Sequence, residues 1–114
     1  MSADVNSAAP STGGCIVLTT TDTQDHANLI IDAVLKQRLA ACVQTLPIQS
    51  AYMWRGEIRN EPELLLILKA RRVDWDALCA AIRAAHSYET PEIICLDIAS
   101  ADQAYLAWVM NRGG

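Results

Sequence analysis

The residues best suited to chemistry lie in one short segment, residues 86–92, which reads His-Ser-Tyr-Glu-Thr-Pro-Glu. His86 is a candidate ligand for a divalent metal, and Glu89 and Glu92 are candidate carboxylate ligands or a general acid–base pair. The ordinary alternative for His86 is a helix C-cap, where an imidazole stabilises the negative end of the helix dipole by roughly 0.3–1 kcal/mol. The ordinary alternative for the two glutamates is a surface salt bridge.

Cys42 is the second candidate metal ligand. A thiolate beside an imidazole favours a soft or borderline ion such as copper or zinc over magnesium, and Cys42, His86 and Glu92 make up the predicted ligand set. The alternative for Cys42 is a small buried core thiol. The same side chains, with Glu89 or Glu92, would form the shared active site of an enzyme. Because no arrangement of nucleophile, base and orienting group is readable from the sequence, we predict that the chain is not an enzyme.

Aromatic side chains mark a second region, next to a predicted turn at Arg55-Gly56. Tyr52 and Trp54 have the composition of an interface anchor, and we predict that they pack against a neighbouring subunit rather than stack on a ligand. Tyr88 and Glu89 are predicted to line an interface or a pocket, because the following proline stiffens their segment. The sequence does not separate these two roles.

Hydrophobic spacing predicts the elements that must position these residues. Short β-branched and apolar runs predict strands at 15–20, 42–54, 57–69 and 93–98, the second of them interrupted by Pro47. Apolar stripes predict helices from a capping box at Thr21 and Gln24 to about Leu39, from a cap at Asp74 to near His86, and from a capping box at Ser100 and Gln103. The order β-α-β-β-α-β with an extra C-terminal helix predicts a ferredoxin-like α/β sandwich with an antiparallel sheet and a long hairpin.

The hairpin between the second and third strands has a predictable register. If Trp54 pairs with Glu57, the numbers of paired residues sum to 111, and Pro47 and Pro62 fall in one zone of the ladder. Each proline removes a ladder donor, which predicts a local break or bulge there. Residues 64–68 are apolar on both faces of their strand. We therefore predict that its own helices cover one face and another subunit's sheet covers the other.

Composition limits the classes of function. The 114-residue chain is 52% hydrophobic, so we expect one domain with more apolar surface than one core can hide, and hence an oligomer. A net charge of −4 argues against a nucleic-acid partner. No apolar run reaches the roughly 20 residues that span a bilayer, so no membrane association is expected. Four scattered cysteines without a C-x-x-C pair indicate free thiols in a reducing compartment.

The chain divides into a predicted disordered N-terminal tail, residues 1–14, and a predicted folded domain, residues 15–114. The tail is rich in small and polar residues and has Asp4 as its one charged side chain. It shows neither the positive segment nor the apolar segment of a signal peptide, which predicts a cytoplasmic protein.

Three segments in this order resemble the CutA family of divalent-cation tolerance proteins: Leu39-Ala40-Ala41-Cys42, residues 50–57 and residues 86–92. The resemblance extends from about Cys15 to Trp108. It implies a ferredoxin-like fold, a tight homotrimer assembled through long hairpins, tolerance of divalent cations, and binding of Cu²⁺ or another divalent metal at His86, without an organic cofactor. The family pattern has proline where this chain has Ser87, and the change frees the backbone that follows His86.

A second interpretation is a trimeric signalling or small-ligand-binding module that resembles the PII regulators. Ligands would then lie in clefts between subunits, walled by the hairpin and by residues 86–92. The sequence contains no nucleotide-binding motif that supports this interpretation.

Overall fold

The secondary structure follows the predicted order closely. The structure is a computed structural model that describes residues 11–114. Its elements are β1 (Gly14–Thr21), α1 (Gln24–Lys36), β2 (Cys42–Trp54), β3 (Glu57–Arg71), a 3₁₀ turn (Arg72–Asp74), α2 (Trp75–Ala85), β4 (Ile93–Asp97) and α3 (Gln103–Met110). The sheet order is β2-β3-β1-β4 with every neighbouring pair antiparallel. This topology confirms the predicted ferredoxin-like sandwich with its additional C-terminal helix.

The β2–β3 hairpin keeps one register along its whole length. Its ladder runs from Cys42 opposite Lys69 to Trp54 opposite Glu57, which confirms the predicted pairing. The predicted interruption at Pro47 and the predicted break or bulge are wrong, because the pairing does not slip at Pro47 or Pro62. Pro47 lies on an edge strand, and Pro62 lies beyond the last residue of β3 that pairs with β1. The nitrogen of each proline can therefore point to the side that has no partner strand, where a missing N–H removes no hydrogen bond from the ladder.

Two of the predicted helix caps are displaced by two residues. The N-cap of α1 is Thr23, whose hydroxyl accepts from the His26 backbone N–H at 3.1 Å. Thr21, the predicted cap, is instead the last residue of β1 and is buried opposite Leu64. The N-cap of α3 is Asp102, whose carboxylate accepts from Tyr105, and not Ser100. In both places the cap is the suitable residue nearest to the point where the helical backbone begins.

Asp74 precedes α2 as predicted, but its side chain makes no capping hydrogen bond. Its carboxylate instead accepts hydrogen bonds from the guanidinium groups of Arg71, at 2.9 Å, and Arg112, at 3.1 Å. The Asp74 side chain is only 12% exposed. Burial opposes ionisation, but the hydrogen bonds from the two guanidiniums keep the pKa of Asp74 below its ordinary value. This charge cluster joins the end of β3 to the C-terminal residues.

The two faces of the sheet are covered unequally. Helices α1 and α2 pack on one face over a buried core that includes Val17, Ile30, Leu66, Leu68, Leu78 and Ile82. Since side chains alternate along a strand, Leu65 and Ile67 point to the other face. There α3 covers one end, where the Tyr105 hydroxyl lies 3.8 Å from the Cys42 sulfur.

Beyond α3, that second face carries apolar side chains that nothing within residues 11–114 covers. Leu46, Ile94 and Leu96 are 42%, 43% and 48% exposed. Leu46 lies opposite Leu65, Ile94 is in line with Ile67 through Leu18 of β1, and Leu96 lies two residues further along β4. We call this surface, formed by Leu46, Leu65, Ile67, Ile94 and Leu96, the open face. The prediction that the chain's own helices cover one side of residues 64–68 is confirmed by the core on the helical face.

Candidate functional site

A cleft of about 850 Å³ lies between the outer half of the β2–β3 hairpin and residues 87–92. We call it the hairpin cleft; its lining includes Tyr52, Trp54, Glu61, Glu63, Tyr88 and Glu89. Tyr52 and Trp54 alternate with the same parity as Leu46 along β2, so they project from the same side of the sheet as the open face. The cleft is therefore continuous with the uncovered apolar surface.

Tyrosine hydroxyls hold two of the cleft's carboxylates in place. Tyr88 donates to Glu63 at 2.7 Å, and Tyr52 donates to Glu61 at 2.8 Å. Burial, followed by the bond to Glu63, raises the pKa of Tyr88, and the bond to Glu61 is the main cause of the raised pKa of Tyr52. Both phenols are therefore neutral hydrogen-bond donors at physiological pH, and each leaves its carboxylate one oxygen with which to bind something else.

His86 directly precedes the cleft residues 87–92 and makes two hydrogen bonds to the backbone. Its Nε2 lies 2.8 Å from the carbonyl oxygen of Thr20, and its Nδ1 lies 3.1 Å from the backbone nitrogen of Tyr88. A carbonyl only accepts and an amide only donates, so Nε2 carries the proton and Nδ1 accepts. We call this arrangement of His86, Thr20 and Tyr88 the His86 latch.

The surroundings of His86 favour the neutral imidazole that the latch requires. Burial lowers the pKa of His86 below its ordinary value, although the hydrogen bond to Thr20 and the nearby carboxylates of Asp22 and Glu63 act in the opposite direction. The ring also lies against Tyr88, with 5.0 Å between ring centroids. His86 is the C-cap residue of α2, with an extended backbone, so it fastens residues 87–92 to β1.

The predicted metal ligands lie in two separate places in this chain. His86 is fastened to Thr20, and Glu92 lines the cleft beside it. Cys42 begins β2 at the opposite end of the ladder. Four residues of strand and two strand spacings separate the Cys42 backbone from that of Thr20, a distance of roughly 16 Å. Within one chain, Cys42 therefore does not meet His86.

No three or more His, Cys, Asp or Glu side chains among residues 11–114 converge on a point where a metal ion could bind. Outside the cleft, His26 in the first turn of α1 lies 2.6 Å from the carboxylate of Asp22, which precedes the helix. Two such groups make an ordinary surface ion pair. The predicted ligand set of His86, Cys42 and Glu92 stays a prediction, and it requires a second chain to bring the thiol close.

Two side chains that line the cleft, Glu61 and Glu63, were not among the candidate residues from the sequence. The signal that could have found them is the hairpin register. Cross-strand partners have residue numbers that sum to 111, so Glu61 lies opposite Ser50 and Glu63 lies opposite Ile48. Both glutamates therefore lie on the same face of the hairpin as Tyr52 and Trp54. The partner of His86 could not have been found in this way, because Thr20 is 66 residues away in the chain.

None of the helices in the described part of the chain is both long enough and apolar enough to cross a membrane.

Comparison with known proteins identifies relatives along nearly the whole described chain. The family model described as CutA1 divalent ion tolerance protein matches residues 15–112. The Divalent-cation tolerance protein CutA of Thermus thermophilus is 37% identical over 87% of this chain and 97% of the relative. Protein CutA 1, chloroplastic, of rice is 33% identical over 96% of this chain, which spans 63% of the rice protein.

Solved structures agree with the sequence comparison. The divalent cation tolerance protein of Thermus thermophilus superposes with a TM-score of 0.84 at 36% identity, covering 89% of this chain and 99% of that one. The CutA of Archaeoglobus fulgidus, described as a periplasmic divalent cation tolerance protein, has the same TM-score at 29% identity and the same coverage. Because sequence and structure agree over nearly the whole described chain, this protein belongs to the CutA1 divalent ion tolerance family.

Proposed function

We propose that this chain acts in divalent-cation tolerance as a cytoplasmic homotrimer that binds a divalent metal, with copper the first candidate, and that it catalyses no reaction. Membership of the CutA1 family supports the role in cation tolerance. The open face is the observation that carries the assembly. The hairpin cleft and the neighbouring His86 latch support the binding role.

The open face supports self-association because its apolar side chains are contiguous. Leu46, Ile94 and Leu96 are each more than 40% exposed. They lie on β2 and β4, on the same face as the half-buried Leu65 and Ile67 of β3, and Leu18 of the intervening β1 connects Ile67 to Ile94. An apolar surface of this kind is seldom left to water in a soluble protein. The resemblance to CutA proteins implies three copies. Light scattering tests this directly, since three chains of 12.4 kDa weigh about 37 kDa.

The cytoplasmic location is proposed from the cysteines. All four are free thiols, as expected for a protein kept in a reducing compartment. Separation of cytoplasmic, periplasmic and membrane fractions, followed by immunoblotting, tests the location. Recovery of the protein with the periplasmic markers would contradict it.

Metal binding at His86 has a structural condition. In the latch, the Nδ1 lone pair accepts the Tyr88 N–H and the Nε2 proton is donated to Thr20. A metal can bind only after one of these bonds is released, because a ligand nitrogen must offer its lone pair to the ion. Copper binding at His86 is therefore coupled to movement of residues 87–92. It takes Glu92 from the cleft, and Cys42 from a neighbouring copy.

A copper(II) titration of the purified, reduced protein tests this proposal, with His86→Ala as the variant and His26→Ala as the control. His26 is the matched control because it is the other imidazole of the chain and lies on the exposed surface of α1. We expect micromolar or tighter binding by the native protein and by His26→Ala, and at least a tenfold weaker affinity for His86→Ala. Equal affinities of the native protein and His86→Ala would exclude His86 as a ligand.

The hairpin cleft favours a second candidate function, a small-ligand-binding module of the PII-like kind. A volume of about 850 Å³ is within the range of small-molecule sites, which is roughly 300–1,000 Å³. The hairpin and residues 87–92 line this cleft within one chain, whereas the predicted clefts lie between subunits. A thermal-shift screen of nucleotides and metabolites tests this function, and a screen without any stabilising compound would count against it.

A further inference from the structure

Two of the free thiols are neighbours on the helical face of the sheet. Cys15 of β1 lies opposite Asp97 of β4, and Cys95 of β4 lies opposite Val17 of β1, so the two cysteines are diagonal neighbours on adjacent strands. Val17 belongs to the core under the helices, and Cys15 and Cys95 share its side of the sheet. That side is opposite to the open face, so assembly through the open face would not cover the two thiols. We call them the thiol pair.

The diagonal spacing suits a shared metal ion better than a disulfide. Diagonal neighbours in an antiparallel pair have Cα atoms roughly 7–8 Å apart, whereas a disulfide needs Cα atoms within about 6.8 Å of each other. A metal ion between two thiolates makes a longer bridge. Each metal–thiolate bond measures about 2.3 Å, so two such bonds in line separate the sulfurs by about 4.6 Å.

The sulfurs of the thiol pair are close enough to influence each other. The pKa of the Cys15 thiol is raised to about 12, first by burial and then by the neighbouring Cys95 sulfur. Two thiolates side by side repel each other, and a cation between them removes that repulsion. Because a coordinated metal deprotonates a thiol outright, the raised pKa does not prevent metal binding.

Two further charged side chains act on the thiol pair, and they oppose each other. Arg72 lowers the pKa of Cys15 and Asp97 raises it. The guanidinium of Arg72 lies 3.4 Å from the Asp97 carboxylate. The two residues therefore add little net charge at the sulfurs.

A site with two sulfur ligands selects among metals. No three or more His, Cys, Asp or Glu side chains within residues 11–114 converge on a point, whereas structural zinc takes about four ligands and calcium or magnesium about six to eight. Thiolates are soft ligands that select Cu(I). Cu(I) has a filled d shell and is stable with two thiolates in line. It is also the copper ion that a reducing compartment maintains.

Cys95 gives the thiol pair an opening to solvent. Cys15 is fully buried, but Cys95 is half-buried and its strand β4 is an edge of the sheet. An ion can therefore bind Cys95 first and Cys15 second. The buried sulfur then holds the ion away from water.

We propose that Cys15 and Cys95 bind one Cu(I) ion as a two-coordinate bis-thiolate site. Binding forms two copper–sulfur bonds and releases two thiol protons to solvent, with no change in the oxidation state of copper or sulfur. This inference rests on the proposed copper-binding role and adds to it a second site for the reduced ion. The site shares no ligand with the predicted set of His86, Cys42 and Glu92.

An anaerobic competition titration of the full chain with the bicinchoninate complex of Cu(I) tests the proposal. The variants are Cys95→Ser and Cys15→Ala; the control is Cys79→Ser, which changes a half-buried thiol on α2. We expect each variant of the thiol pair to bind one Cu(I) per chain fewer than the native protein, or to bind that ion more than about a hundredfold more weakly. Loss of even an outer-shell group costs about 10- to 100-fold. Cys79→Ser should take up as much Cu(I) as the native protein.

Two further measurements separate the site from a folding effect and from unspecific thiol binding. Denaturant unfolding establishes that each variant is folded, and Cys95→Ser decides the result if the buried Cys15→Ala change prevents folding. X-ray absorption at the copper edge should show two sulfur ligands at one distance. Equal Cu(I) uptake by the native protein and Cys95→Ser, an equal loss in Cys79→Ser, or a copper ion with more than two ligands would overturn the proposal.

Failure of this inference is distinguishable from failure of the proposed function. Absence of Cu(I) binding at the thiol pair, with Cu(II) binding that depends on His86, would overturn this site and leave the proposed metal role standing. Cu(I) binding that depends on Cys95, with Cu(II) binding unaffected by His86→Ala, would exclude His86 and support the thiol pair. Absence of both would overturn both.

Discussion

Replacing Leu46 by lysine should convert a particle of about 37 kDa, which is three times 12.4 kDa, into one of 12.4 kDa. Leu46 is 42% exposed in the isolated chain, so the substitution costs the single subunit little. At an interface the same lysine would have to lose its water without gaining a partner, which costs several kcal/mol for each copy. Light scattering coupled to size exclusion measures the mass at several protein concentrations.

Leu29→Lys is the matched control for this experiment. Leu29 is 57% exposed on α1, the layer on the opposite side of the sheet from the open face. The same change of side chain there should leave the mass at about 37 kDa. A monomeric native protein, or a Leu46→Lys variant that keeps the full mass, would show that the open face is not the interface.

His86→Ala should destabilise the folded protein by roughly 2–4 kcal/mol, because it removes both hydrogen bonds of the latch and leaves the Thr20 carbonyl and the Tyr88 N–H without their partner. Denaturant unfolding at one fixed protein concentration measures the loss, since the stability of an oligomer depends on concentration. His26→Ala is again the control. Its ion pair with Asp22 is exposed, and its removal should cost no more than about 1 kcal/mol.

The latch should also make stability depend on pH. Burial lowers the pKa of His86 in the folded state, whereas an unfolded histidine has a pKa near 6.5. Below about pH 6.5, His86 therefore binds a proton more readily in the unfolded chain than in the folded chain, and this difference favours unfolding. The contribution of His86 is fully present above that pH and is lost as the pH falls through the lower folded-state pKa, where a protonated Nδ1 can no longer accept from Tyr88.

Unfolding experiments between pH 5 and 8 check this dependence. The native protein should lose stability toward the acid end, and the difference between native and His86→Ala should shrink there. A difference that stays constant across the range would mean that the imidazole does not hold the latch in its neutral form.

Much of the fold was predictable because local signals and packing agree. Short β-branched and apolar runs predicted all four strands, apolar stripes at helical spacing predicted the three helices, and the Arg55–Gly56 turn predicted the hairpin register. What could not be read from the sequence depends on the neighbours of a residue. The effect of Pro47 depended on its strand lying at an edge of the sheet, and the choice of Thr23 over Thr21 as the cap depended on how far β1 pairs with β3.

The candidate site was predictable in part for the same reason. Tyr52, Trp54, Tyr88, Glu89 and Glu92 were identified by residue type, and the structure brings all five to the hairpin cleft. Cys42, chosen by the same reasoning, lies at the other end of β2. The hydrogen bond from His86 to Thr20 could not be predicted from the sequence, because it depends on the position of a backbone carbonyl on another strand. A side chain's type indicates what chemistry it can do, but its partners decide whether it is free to do it.

The pairing of β4 with β1 determines the order in which the sheet can form. The β2–β3 hairpin joins residues that are close in the chain, whereas β4 must bring Asp97 to Cys15, roughly eighty residues earlier. Closing so long a loop is entropically expensive for a strand of five residues. During synthesis the hairpin can therefore form while one edge of β1 still lacks its partner. Until residues 93–97 pair with it, that edge of β1 is open to association with the wrong chain.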